Sequence, residues 1–289
     1  MRRDSWGDSM NLCRALLLGV LVWHLGVISA TSSPNARAGS AIVFLHQTER
    51  ILLRSTDRLP EASGVVRVER RGGTTDIEVE IGSMKPASLF GGDYNTYVLW
   101  VVPSRGAAEN LGEISLDGDR GRLRASTNAT VFAALVTAEP HYLVNTPSPF
   151  VVLENKPDVS APEIHYAVLE GVYNFSRSTL VDLKPARGRV HTDVRQAFTA
   201  VRLAQRAGAP TAASEEFTRA ELALDQTLSL WHQHAAHNEI AAQARETVRL
   251  AVAAQRLATD RGLQGTRLGT EGSGGGNEES GSRDLQGRN

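Results

Sequence analysis

The chain has 289 residues, of which 31 are lysine or arginine and 32 aspartate or glutamate, so its formal net charge at neutral pH is −1. That balance excludes recognition by bulk charge, and neither nucleic acid nor an anionic surface is an expected partner. One cysteine, Cys13, excludes an internal disulfide framework and a thiolate zinc cluster; packing must supply the stability of a chain long enough for two modest domains.

Arg2, Arg3 and Arg14 precede an apolar run from Ala15 to Ile28, and Ile28-Ser29-Ala30 leads into a polar Thr-Ser-Ser-Pro-Asn stretch. This is the pattern of an export signal. The run falls short of the roughly 20 apolar residues a spanning helix needs, and His24 interrupts it. Residues 1–30 are therefore expected to be a cleaved signal peptide, with a retained membrane anchor as the alternative. Cys13 stands before the apolar run, on the wrong side to become the lipidated first residue of a mature lipoprotein.

Residues 40–155 read as an antiparallel β-sandwich. Residues 40–58 mix Ile42, Val43, Leu45, Ile51, Leu52 and Leu53 in a pattern that fits strand and helix equally, and stay unassigned. From Val65 the pattern sharpens: a strand, a Gly72-Gly73 turn, then Ile77, Val79 and Ile81 alternating with acidic residues, which predicts a β-hairpin. Tyr97 to Val102 predicts a central strand buried on both faces, with Tyr97, Leu99 and Val101 on one side and Val98, Trp100 and Val102 on the other. Leu111 to Leu116 pairs back toward it. Asp117-Gly118-Asp119 turns the chain into Arg122–Ser126, Val131–Thr137 follows, and Val151–Leu153 is expected as the last strand. Arg67, Arg70 and Arg71 suggest a charged strand edge that discourages aggregation, or a local contact for an anionic wall polymer.

Residues 156–189 change to a proline-bearing linker, with an aromatic group at Tyr166, Tyr173 and Phe175. An alanine-rich helical domain is expected over 190–262. One helix runs from about Val190 to Ala207 through Val194, Phe198, Val201 and Ala204, and stops at Gly208-Ala209-Pro210. A second opens at Ser214 as N-cap, with Glu215 and Glu216 in its first turn, and passes through Ala220, Leu224, Leu228 and Trp231. A third covers about Asn238 to Ala258. These apolar stripes predict a helical hairpin or three-helix region, closing within one chain or between copies of it. Residues 263–289, rich in glycine and serine, have nothing to bury and are expected to be disordered. The fold class is thus α+β.

Tyr97, Val98 and Trp100 in Y-V-L-W-V-V-P-S-R-G, Leu111 and Gly112 in N-L-G-E-I, and Thr137-Ala138-Glu139-Pro140 together resemble the extracytoplasmic β-domain of anti-sigma-K-type factors across about residues 65–153. The resemblance implies a membrane-associated regulatory or sensory ectodomain. A sigma-binding part would lie in the cytoplasm, where only the residues before Ala15 would remain, so the β-domain is expected without its effector. Residues Asp193–Ala258 resemble an alanine-rich envelope domain of unknown function that often precedes an outer-membrane-protein-A-like wall-binding module.

Few residues suggest chemistry. His232, His234 and His237 are the densest set of candidate metal ligands, but the i, i+4 pair of a helical zinc site is missing, which favours a polar interhelical turn. Asp117 and Asp119 lack the further oxygens calcium needs. Ser104 and Ser148 sit beside prolines without a strained nucleophile elbow. Gly72-Gly73 and Gly91-Gly92 lack the context of a phosphate loop. His141 is expected in a loop without a catalytic partner. No catalytic, metal or cofactor site is expected, leaving an exported, non-enzymatic envelope protein that binds an envelope protein or a cell-wall polymer.

Overall fold

The computed structural model describes residues 36–42, 48–91, 93–156, 161–168 and 191–273, the last nine of these as backbone alone. The expected leader over 1–30, the region 169–190 with Tyr173 and Phe175, and residues 274–289 lie outside the described residues.

The strands are β1 (Ala36–Ser40), β2 (Thr48–Ser55), β3 (Ser63–Arg71), β4 (Thr74–Gly82), β5 (Thr96–Pro103), β6 (Glu109–Glu113), β7 (Leu116–Asp117), β8 (Arg120–Thr127), β9 (Phe132–Glu139), β10 (Val151–Asn155) and β11 (Glu163–Ala167). The helices are α1 (Thr192–Arg206), α2 (Ala209–Ala212), α3 (Ser214–His232) and α4 (His237–Ser273). The class is α+β: an antiparallel β-sandwich followed by helices, as expected.

Nine strands form one antiparallel sheet in the order β6-β5-β9-β10-β2-β3-β4-β8-β7, and β1 pairs with β11 in a separate two-stranded sheet. The large sheet folds upon itself. A Cβ added at Gly112 of β6 would meet Leu123 of β8 at 3.7 Å, and one at Gly121 would meet Ile114 at 2.6 Å, so the two ends of the sheet lie in contact. Between the layers Val66, Val68, Ile77 and Val79 pack against Tyr97, Leu99, Val101 and Val136. The other side of β5 and β9 is also covered: Val98, Trp100, Val102 and Leu135 join Ile164 and Tyr166 of β11 and Leu203 of α1. Each parity of β5 thus has its own core, which is why the strand reads as an unbroken apolar run. By contrast β4 alternates buried with more exposed residues and β8 half-buried with exposed ones, because their outer face is solvated.

That solvated face corrects the expectation of a charged edge. β3 is interior, paired with β2 on one side and β4 on the other. Its arginines meet acids: Arg71 donates to Glu69 at 2.8 Å, and Glu78 lies between Arg67 at 3.8 Å and Arg124 at 2.9 Å. The basic run is a neutralised face.

β2 assigns Thr48–Ser55 of the ambiguous 40–58 segment to strand, while β1 and β11 were not expected at all. β10 is not the last strand, since β11 lies within the segment read as a linker. Its five residues, EIHYA, bury only Ile164 and Tyr166, too short an alternation to stand out against the prolines before it.

Alanines dominate the helical core: Ala197, Ala200 and Ala204 of α1 meet Phe217 and Ala220 of α3 and Ala244, Val248 and Ala251 of α4. Small side chains let the helix axes approach. The α3–α4 pair is a hairpin closed by the short turn at residues 233–236, and its helices touch along their length: Thr227 Oγ1 lies 2.9 Å from Thr247 Oγ1, and Gln243 donates to the Ala223 carbonyl at 3.4 Å. Each hydroxyl also lies within hydrogen-bond reach of the carbonyl one turn back, so with one proton apiece one threonine donates across the pair and the other to its own helix. Ser214 does not cap α3; the N-cap is Ala213, which makes no side-chain cap bond, and Ser214 is already helical. The last helix continues to Ser273, beyond the boundary at 263 where the disordered tail was expected. Once packed turns have nucleated a helix, each further residue adds a hydrogen bond at little cost, so polar residues extend it.

Candidate functional site at the sheet–helix junction

The motif residues separate into two groups. Tyr97 and Leu111 serve the sandwich interior, with the Tyr97 hydroxyl donating to the Lys85 carbonyl at 2.6 Å. Gly112 adopts φ +125° where the β5–β6 register shifts, and its N–H donates to Asn110 Oδ1 at 2.9 Å; a side chain would be strained by that backbone angle. Val98 and Trp100 belong to the opposite face. Trp100 Nε1 donates to Thr137 Oγ1 at 2.7 Å, and Thr137 Oγ1 donates to Glu139 Oε1 at 2.5 Å. The Ser148 N–H donates to the same carboxylate oxygen at 2.7 Å.

Glu139 is wholly buried, and its Oε2 has no partner. Burial pushes its pKa up to about 8, against the lowering effect of the Ser148 and Thr137 hydrogen bonds. This carboxyl is mostly protonated at neutral pH.

Beyond β9 the chain passes Pro140 and enters the junction with the helices. The Pro140 carbonyl accepts from Asn95 Nδ2 at 3.0 Å, and the same amide donates to Thr199 Oγ1 of α1 at 2.9 Å. Glu113, at the end of β6, gathers three donors: Thr96 Oγ1 at 2.6 Å, Gln196 Nε2 of α1 at 2.7 Å and Arg245 Nη2 of α4 at 2.6 Å. Gln196 Oε1 accepts the Tyr142 N–H at 2.9 Å, and the Arg245 guanidinium lies 4.7 Å over the Tyr142 ring. A single carboxylate therefore ties one strand end to two helices through charge-assisted bonds. Nearby, burial raises the pKa of Asp193, which faces Arg245 at 3.6 Å.

Next to this clasp lies an open cleft of about 650 Å³, between residues 141–146, α1 and α4. Its floor and walls include His141, Leu143, Leu203 and Val252; its rim carries Arg206, Arg256 and Asp260. Arg206 is held by Asp93, Nη1 to Oδ2 at 2.7 Å. His141 is only 2 % exposed and neither ring nitrogen has a partner. Burial, aided by the charge of Arg256, drives its pKa down to about 3, so the imidazole is neutral and able to donate from one nitrogen and accept at the other. His141 lies in the loop after β9, as expected, and is buried there at the junction with the helices.

The remaining candidates do not converge. His237 stacks on His191 with ring centroids 4.7 Å apart, His232 packs on Trp231 at 4.9 Å, and His234 takes φ +55° in the turn. Among the described residues no group of three or more histidine, cysteine or acidic side chains could hold a metal. Asp117 and Asp119 are exposed turn residues around Gly118 at φ +63°. Ser104 is exposed beside Pro103. The Ser148 hydroxyl donates to the Ala138 carbonyl at 2.8 Å and is buried away from His141's cleft. Gly72 supplies a hairpin turn at φ +63°, and Gly91 follows a single 3-10 turn at φ +91°. Among the described residues no helix is long and apolar enough to cross a membrane.

Glu139, Pro140 and His141 were visible in the sequence as neighbours. What it did not reveal was that Asn95 bonds Pro140, that Arg206 lines the cleft with His141, and that Glu113, Gln196 and Arg245 gather around the adjoining Tyr142, because those residues belong to no local pattern. No family model matches the chain, and no curated protein matches it.

Proposed function

We propose that this is an exported, non-enzymatic protein of the bacterial envelope that works by binding, with its recognition site at the junction of sheet and helices. The observation that carries the reading is the cleft: an apolar floor, a buried neutral His141 with both hydrogen bonds unmade, and charged groups confined to the rim. Ligand sites commonly combine apolar walls with a few placed polar groups. Export rests on the arginine-flanked apolar run that ends at Ile28-Ser29-Ala30. The resemblance of Tyr97, Trp100 and Glu139 to an anti-sigma-K ectodomain fits an envelope setting too.

Fractionation of the producing cell, with mass spectrometry of the mature N-terminus and in-cell cross-linking, tests both parts. The expected result is an extracytoplasmic protein shortened near Ala30 and cross-linked to an envelope protein or wall fragment. A full-length membrane-retained form would favour the sensory ectodomain instead. Full-length protein in the cytosol would overturn export.

A further inference from the structure

The cleft also specifies a ligand chemistry. Arg256 and Asp260 stand one helical turn apart on α4, both line the rim, and neither side chain forms an ion pair or hydrogen bond with a described residue. Four residues of α-helix rise about 6 Å. Arg206 adds a second guanidinium, already fixed by Asp93, whose other donors remain beside the opening. Among the described residues the rim therefore offers an unpaired cation and an unpaired anion one helical turn apart, and Arg206 with Asp93 is a neutral pair.

A zwitterion suits such a rim better than a net anion does. A dipeptide, whose two residues span at most about 7 Å when extended, is of the length needed to bridge groups one helical turn apart. Below the rim, Leu143, Leu203 and Val252 accept apolar side chains, and a neutral imidazole that both donates and accepts complements a peptide group, which does the same. The volume is ample for a molecule of that size.

We propose that the cleft binds a dipeptide with free termini and apolar side chains: its carboxylate on Arg256 and Arg206, its ammonium on Asp260, and its peptide group toward His141. This deepens the binding role proposed above and relies on that reading only for where the peptide is met.

Calorimetric titration of the purified protein with leucyl-leucine is the test, alongside its N-acetylated, C-amidated and doubly capped forms. The expected result is binding in the millimolar range or tighter. Each cap should weaken it about tenfold, the scale of a lost charge-assisted hydrogen bond. Arg256→Gln should weaken leucyl-leucine about as much as amidation does, and leave the amidated peptide's affinity unchanged. Asp260→Asn should behave likewise toward the acetylated form. Both positions are exposed, so circular dichroism should show an unaltered fold. Absence of binding by the folded protein, affinity indifferent to the caps, or affinity unmoved by Arg256→Gln would each overturn the proposal. None of these depends on the cell compartment, so the export reading stands or falls separately.

Discussion

Glu139 and His141, separated by one proline, respond to pH in opposite directions. Glu139 has a folded pKa of about 8 against a reference of 4.5, so between those values the folded state holds a proton that the unfolded chain has released. Raising pH through that window favours unfolding. His141 has a folded pKa of about 3 against 6.5, so as pH falls below 6.5 the unfolded chain takes up a proton the folded state refuses, and acid favours unfolding. The slopes oppose each other between pH 4.5 and 6.5, which predicts a plateau of stability there. Glu139→Gln should flatten the fall in Tm between pH 6.5 and 8 while sparing the acid limb, as thermal melts across pH would show; an unchanged alkaline limb would refute the assignment. Thr137→Val should cost about 1–3 kcal/mol in denaturant titrations, because it leaves the buried Trp100 Nε1 without an acceptor.

Among the elements, β5 was the most legible, because each of its two side-chain parities had to find its own cover. Hairpins were legible where Gly72 and Gly118 mark the turns, and the three long helices where alanines repeat on one stripe. The pairing of β1 with β11 was not: partners such as Ala38 and His165 lie far apart in the chain, and pairing at that distance leaves no local trace. The role of α1 was half legible. Its Ala197, Ala200 and Ala204 face helices, as the stripe predicts, but Leu203, Gln196 and Thr199 serve the sheet, so two sides of the helix are buried. Glu113→Ala should therefore loosen α1 and α4 selectively. Hydrogen exchange should quicken around Gln196 and Arg245 more than in β3 and β4; uniform acceleration would contradict a clasp role. Gly121→Val, directed at Ile114 only 2.6 Å from its Cβ position, should cost about 1–3 kcal/mol by overpacking where the sheet closes, measured by denaturant melting.

At the scale of the molecule, sheet and helices share side chains across their boundary: Leu203 lies in the core of Trp100, and Tyr142 and Leu143 pack on the helical core. All the described residues fall in one compact unit. Thermal unfolding should accordingly show one transition, with helical circular dichroism and near-ultraviolet aromatic signals superimposing; two separated midpoints would show that the regions melt independently.

The two-stranded sheet has a mechanical consequence. Ala36 pairs with Ala167 and Ser40 with Glu163, so the chain enters β1 and leaves β11 at the same end of the pair. Tension applied between the segment before Ala36 and the segment after Ala167 would load the rungs one after another from that end, like a zipper. Such a pair yields at lower force than one pulled in shear. A protein held on its N-terminal side and pulled at the segment after Ala167 would open this small sheet rung by rung, uncovering part of the face that holds Trp100.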